Sequence, residues 1–217
     1  MYINIHTHHP QHAPHSLELH SLYHGFSCAG QGFTGSIGLH PWHLEQHVQL
    51  FTELQQYAGL PGVVAIGECG LDRVCNTDWV LQMTVFRQQI TLANHLHKPL
   101  IIHCVRAYNE LLSFFKEQPA QVPVIIHGFN KNGQVAQQLL DAGMYLSFGA
   151  AVMATDAPIA SVVKAIPPHR FFLETDDSPV SITDIYQKVA SIRETTVEAI
   201  ILQQQHNYNN IFTALQS

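Results

Sequence analysis

At 217 residues, with 46% apolar and only 12% charged side chains, the chain has the composition of a globular protein with a full hydrophobic interior, which excludes a disordered polypeptide. No apolar run approaches the roughly 18–20 residues needed to span a bilayer, so no membrane partner is expected. The start of the chain lacks the basic region of a secretory signal, so cytoplasm is the expected compartment. A formal charge of −6 excludes binding of nucleic acid over the whole surface, and a polyanionic substrate would need a local site built on bound cations.

Taken in order, Tyr2–His6 reads as a first strand that runs into His6-Thr7-His8-His9. Residues 9–32 break the pattern: they hold a strand-like run, about Leu17–Phe26, and no helix. Its connections are shorter than the dozen or so residues of a parallel crossover, which predicts an antiparallel, hairpin-like excursion without a crossover helix. From there apolar strands and amphipathic helices alternate. Strands are predicted at Gly35–Leu39, Gly62–Gly67, Pro99–His103, Val122–His127, Met144–Phe148 and Arg170–Glu174. Helices are predicted at Leu44–Ala58, Asp78–Leu96, Ala107–Glu117, Gly133–Ala142 and Pro158–Ile166, then at Thr183–Ile192, Thr196–Gln205 and Tyr208–Leu215. In Asp78–Leu96, residues Val80, Met83, Phe86, Ile90 and Ala93 recur at helical spacing and make one apolar face. Strands apolar almost throughout belong to a parallel sheet covered on both faces. The fold class is therefore α/β, a TIM-like (β/α) barrel distorted in its first quarter, with 1–217 as a single domain. Cys28, Cys69, Cys75 and Cys104 form no CxxC pair and are expected to be reduced thiols.

The chemistry is positional. Catalytic groups of such barrels lie at the C-terminal strand ends. Here successive apolar runs end in metal-binding residue types: His6 and His8, then His40, Glu68, His103, His127, and Asp176 after the last strand. His6 and His8 sit two apart on an extended segment, so both point to one side and can hold one cation. Imidazole with carboxylate suits zinc, manganese, iron or cobalt better than calcium. The six residues His6, His8, Glu68, His103, His127 and Asp176 exceed the need of one tetrahedral ion. Two divalent metals, with Glu68 as bridge, account for the surplus. His40 is expected to contact substrate or to orient the loop beside Pro41, and Trp42 and Trp79 stand just beyond strand ends, at the rim or in packing.

Six segments, in order, resemble the TatD family of metal-dependent deoxyribonucleases. They are His6-Thr7-His8, Gly38-Leu39-His40-Pro41, Ala65-Ile66-Gly67-Glu68-Cys69-Gly70-Leu71-Asp72, Pro99-Leu100-Ile101-Ile102-His103, Ile125-Ile126-His127-Gly128-Phe129 and Leu173-Glu174-Thr175-Asp176. The resemblance covers essentially the whole chain. It implies a barrel of the amidohydrolase superfamily in which His6, His8 and Asp176 bind one metal, Glu68 bridges, and His103 and His127 bind the second. It also implies hydrolysis of DNA phosphodiesters, often from a 3′ end. The chain departs from the family pattern between His8 and Gly38, where the first crossover helix and second strand are missing, and after Asp176, where Asp177-Ser178-Pro179-Val180 replaces a Pro-rich loop. After His103 it reads Cys104-Val105-Arg106-Ala107.

The expected activity is thus a two-metal hydrolase with zinc, magnesium, manganese or a similar ion, in which Asp176 and Glu68 are catalytic. Asp176 would orient the attacking water or take its proton. His40, Arg106 and Lys131 are candidates for phosphate contact, and Gly128 with the helix start at Asn132–Gln134 for an anion site. DNA is the expected substrate. The alternative is a small phosphoester, lactone or amide, to which the acidic charge and shortened segments lend weight. No obligate protein partner is evident in the sequence.

Overall fold

The structure is a computed structural model that describes residues 1–11, 14–154 and 158–213. Strands β1 (Tyr2–Thr7), β2 (Ser16–Leu22), β3 (Gly35–Ile37), β4 (Val63–Asp72), β5 (Leu100–Val105), β6 (Val124–Ile126), β7 (Tyr145–Phe148) and β8 (Phe171–Leu173) follow one another in sequence order through one sheet. Every pairing described between them is parallel. Helices α1 (His47–Tyr57), α2 (Trp79–Leu96), α3 (Tyr108–Glu117), α4 (Gly133–Asp141) and α5 (Ile159–Ala165) separate the strands from β3 to β8, and α6 (Ile182–Ile192) and α7 (Val197–Tyr208) follow. This is the connectivity of a (β/α) barrel. The expected last helix, Tyr208–Leu215, is a π-helical turn at Asn209–Thr213, and its end lies outside the described residues.

The first quarter differs from expectation. Leu17–Phe26 is not one arm of a hairpin. It is β2, paired parallel to β3 with His20 opposite Gly35 and Leu22 opposite Ile37. The second strand is therefore present. The return is made by residues 23–34, with a 3₁₀ turn at Phe26–Ala29 that buries Phe26 and Ala29. A 3₁₀ turn rises about 2.0 Å per residue against about 1.5 Å in an α-helix, so a short segment can complete the crossover. Among the described residues between β1 and β3 there is no α-helix, as the sequence predicts.

The chain forms two units. One holds Met1–Leu19 and the chain from Ile126 onward; the other is His20–Ile125. In the first, β7 and β8 pair in register, Leu146 opposite Phe171. The buried Asn4 side chain donates to Thr175 Oγ1 (2.9 Å) and accepts from the Thr175 N–H (3.1 Å). Tyr186 of α6 reaches β1, where its hydroxyl donates to Ile3 O (2.9 Å) and accepts from Ile3 N–H (3.0 Å).

In the second unit, all ten residues of β4 are buried, as a strand covered on both faces requires. Helix α2 starts at Asp78, whose carboxylate accepts from the Leu81 N–H (2.9 Å). Its buried stripe is Gln82, Val85, Phe86, Gln89, Ile90 and Ala93, while Val80 of the expected face is exposed. The two glutamines are bound at both ends of their amides. Gln89 accepts from Leu39 N–H (2.7 Å) and donates to Leu39 O (3.1 Å). Gln82 does the same for the N–H (2.8 Å) and carbonyl (3.0 Å) of Asp72. They fix the backbone just before His40 and at Asp72.

Burial holds the Tyr186 hydroxyl above the usual tyrosine range, against the opposing effect of its hydrogen bond with Ile3. Tyr186→Phe leaves Ile3 with two unsatisfied backbone groups and should lower unfolding stability by about 1–3 kcal/mol. Because the folded-state pKa is raised, that advantage of the parent protein is complete below about pH 10 and is lost as pH rises further. Thermal melts of both proteins between pH 7 and 11 check this, and a gap that widens above pH 10 contradicts it.

Candidate metal centre

In the first unit, β1 carries His6, and His8 follows one residue beyond its end, with the two ring centroids 5.0 Å apart. The chain just past β8 is tied to the same strand. Asp176 N–H donates to His6 O (3.0 Å), and Asp176 O accepts from His8 N–H (3.3 Å) and from Thr7 Oγ1 (3.3 Å). Asp176 Oδ1 then stands 3.5 Å from His6 Nε2 and 3.7 Å from His8 Nε2. Donors about 2.0–2.2 Å from a tetrahedral ion lie roughly 3.4 Å apart, so the spacing fits ligands that share a cation. The His127 ring lies 4.4 Å from that of His6, and its Nδ1 is 3.5 Å from Oε1 of the fully buried Glu174.

In the second unit, Glu68 sits at an irregularity of β4. Ile66 is opposite Leu100 but Cys69 is opposite Ile102, so β4 carries one extra residue there. Such a bulge turns a side chain out of the regular alternation. Gly67 and Gly70 flank Glu68 at φ 152° and 149°, and a Cβ on either would collide with the carbonyl oxygen of Ile101 or His103 on β5. Glu68 Oε1 is 2.7 Å from His103 Nδ1 and 3.1 Å from His40 Nε2. All three residues are buried, and each offers a ligand atom within 4.8 Å of the others.

Their hydrogen bonds distinguish the two imidazoles. His103 Nε2 lies 3.0 Å from Asp72 Oδ2. Both ring nitrogens of His103 thus face carboxylates, Nδ1 towards Glu68 and Nε2 towards Asp72; with a cation beside Glu68 the ring proton would sit on Nε2 and leave the Nδ1 lone pair for the ion. This is the carboxylate–histidine arrangement that orients metal ligands. In His40 the Trp42 N–H donates to Nδ1 (3.2 Å), which puts the ring proton on Nε2, facing Glu68. Neutral His40 is therefore a donor to Glu68. Asp72 is the common anchor: it also accepts from Trp42 Nε1 (2.6 Å) and Val74 N–H (2.7 Å). Burial alone would raise its carboxyl, but the hydrogen bonds from His103, Trp42 and Val74 hold it well below the usual carboxylate range.

Arg106 is exposed beyond β5, and Lys131 is half-buried just before Asn132, whose side chain caps α4 by accepting from Val135 N–H (3.1 Å). Gly128 does not provide the expected anion site, because its N–H donates to Glu174 Oε1 (2.5 Å). Trp42 is 53% exposed, while Trp79 lies under the Arg73 guanidinium at 3.7 Å. All four cysteines are thiols, and burial raises the Cys69 thiol.

Asp72, Gln82, Gln89 and Glu174 are missing from the residues picked out by sequence. Position supplied a signal for two of them. Asp72 stands two residues beyond Gly70 on the strand that carries Glu68, and Glu174 stands two before Asp176.

The family model described as TatD related DNase matches residues 5–213. A metal-dependent hydrolase of Buchnera aphidicola subsp. Baizongia pistaciae is 28% identical over 193 residues, covering 82% of this chain and 73% of that one. A 3′-5′ ssDNA/RNA exonuclease TatD of Pantoea ananatis is 29% identical over 197 residues, covering 81% and 76%. Among solved structures, that of YJJV, a TatD homologue from Escherichia coli K12, superposes with a TM-score of 0.86 at 21% identity and covers 97% of both chains. That likeness shows the fold, a TIM-like barrel. No helix among the described residues is long and apolar enough to cross a membrane.

Asp72→Asn keeps the size of the side chain but removes the charge that faces His103 Nε2. It should weaken metal affinity by about 10–100-fold. Metal titration of the purified variant, with circular dichroism to confirm folding, measures this. Unchanged affinity would refute the role given to Asp72.

Proposed function

The chain belongs to the TatD family of metal-dependent hydrolases, and we propose that it cleaves phosphodiester bonds of single-stranded DNA, from a 3′ end, with two divalent cations. The single observation that carries this reading is the series Glu68, His103, Asp72: a buried carboxylate and imidazole held at 2.7 Å, with a second carboxylate 3.0 Å from the far nitrogen of the ring. The relative from Pantoea ananatis, named as an exonuclease on single-stranded DNA and RNA, supports nucleic acid as the substrate class. A single family description over residues 5–213 supports reading 1–217 as one hydrolase domain.

In this reading His6, His8 and Asp176 would hold one cation, His103 and His127 would hold the other, and Glu68 would be a ligand as well. The assignment of Glu68 and His127 rests on their motifs, Gly67–Asp72 and Ile125–Phe129. The donor set of imidazoles and carboxylates fits zinc, manganese or a similar ion, with magnesium a further candidate. Bound divalent cations supply Lewis acidity, which makes water nucleophilic near neutral pH and offsets charge on the phosphoryl oxygens.

The protein's own residues do the rest. Asp176, whose side chain is 38% exposed, can orient water and take its proton. His40 Nε2–H holds Glu68 in place, and when substrate enters it can donate to a phosphoryl oxygen. Arg106 and Lys131 are the cationic side chains we assign to the flanking phosphates.

The test is hydrolysis of 5′-labelled single-stranded DNA, with small phosphoesters, a lactone and an amide in parallel. The expected result is a ladder that shortens from the 3′ end, stops with chelator and returns with added manganese, magnesium or zinc. Glu68→Ala and His127→Ala should each abolish it. Undiminished cleavage by either variant would overturn the site. Turnover confined to the small substrates would overturn the choice of DNA.

A further inference from the structure

Beside the Glu68–His103 pair, still within the unit His20–Ile125, a cavity of about 570 Å³ opens to solvent. That is the size of pocket that takes a small ligand. Trp42, Leu44 and Leu81 supply its apolar lining, and Glu45, Asn76 and Asp78 its polar lining. The Trp42 indole is fixed in orientation: Nε1–H donates to Asp72 (2.6 Å), and the ring meets those of His40 (centroids 5.0 Å, planes at 89°) and His103 (6.0 Å, 76°). One indole thus touches both imidazoles of the candidate centre and also lines the cavity, with half of its surface exposed. Packing alone does not account for a large aromatic ring anchored on one side and exposed on the other.

The lining selects among ligands. None of the residues that line the cavity is basic, and Glu45 and Asp78 would repel a second phosphate. A neutral planar ring is free of that repulsion. It can stack on the indole, and its ring N–H or amino groups, such as N3–H of thymine, can donate to carboxylate or amide oxygens. A base engaged in a duplex could not turn into such a cavity without first unpairing.

We infer that the Trp42 cavity is a subsite for one unpaired nucleobase next to the scissile phosphate, so that the indole, and not a basic patch, selects single-stranded substrate. The inference rests on the nucleic-acid reading above. It makes Trp42 a specificity-determining residue whose loss weakens binding of base-bearing substrate more than of abasic substrate.

The experiment uses metal-loaded Trp79→Phe protein, in which Trp42 is the one remaining tryptophan, since the chain has two. Its emission is followed against a short phosphorothioate-linked oligothymidylate and against an abasic oligomer of equal length and charge. Quenching by the oligothymidylate and not by the abasic oligomer is expected. In steady-state assays on the natural phosphodiester, Trp42→Ala should raise KM roughly tenfold more for base-bearing than for abasic substrate, as loss of one stacked base implies, while the loss of its bond to Asp72 falls on both substrates alike. Trp42→Phe should recover most of that loss. Equal quenching by both oligomers overturns the inference, and so does a Trp42→Ala defect no larger for base-bearing than for abasic substrate. If oligothymidylate quenches Trp42 and no nucleic acid is cleaved, the subsite stands and the proposed function fails. If cleavage proceeds and quenching is absent, the proposed function stands and the subsite fails.

Discussion

At Gly67 and Gly70 the backbone of β4 passes so close to β5 that a Cβ at either position would strike a carbonyl oxygen of the neighbouring strand. That approach is what carries Glu68 to His103. The extra residue between Ile66 and Cys69 turns the glutamate out of the strand's alternation, and the tight pairing beyond it puts Gly70 opposite His103 and Leu71 opposite Cys104. Asp72 arrives at the end of the same strand, 3.0 Å from the far nitrogen of His103. A side chain at either glycine would push β4 away and separate the carboxylates from the imidazole they act on.

The polar groups around this centre give the two imidazoles different surroundings. With a cation beside Glu68, Asp72 would take the His103 proton on Nε2, and the Trp42 N–H fixes the His40 proton on Nε2. The first choice exposes a lone pair for a cation; the second supplies a hydrogen-bond donor to Glu68. Two histidines at comparable strand ends therefore take different parts because of one neighbour each. Buried carboxylates that receive several hydrogen bonds stay ionised, so Asp72 retains the charge on which the arrangement depends. In the other unit, the backbone bonds that hold Asp176 against His6 and His8 set its carboxylate at ligand spacing from both rings.

Much of this was legible in the sequence because strand ends announce themselves. Apolar runs that stop at Glu68 and His103 in one unit, and at His6 and Asp176 in the other, mark where the polar groups of each unit gather, and alternation along an extended segment places His6 and His8 together. The polarity of β2 was not legible, since the length rule for crossovers assumes an α-helix and residues 23–34 use a 3₁₀ turn. Gln82 and Gln89 were hidden for a different reason. Glutamine on an amphipathic helix reads as solvent-facing, and only tertiary contact shows each amide clamping a backbone. Nor could spacing separate the parts of His40 and His103, because the deciding partners, Trp42 and Asp72, reach them through the fold.

The proposed function requires two bound cations. Metal analysis of the untagged protein after saturation and desalting tests it most directly: it predicts two divalent ions per chain, with fewer in Glu68→Gln. A chain that retains one ion or none, or a Glu68→Gln protein that still holds two, would contradict it.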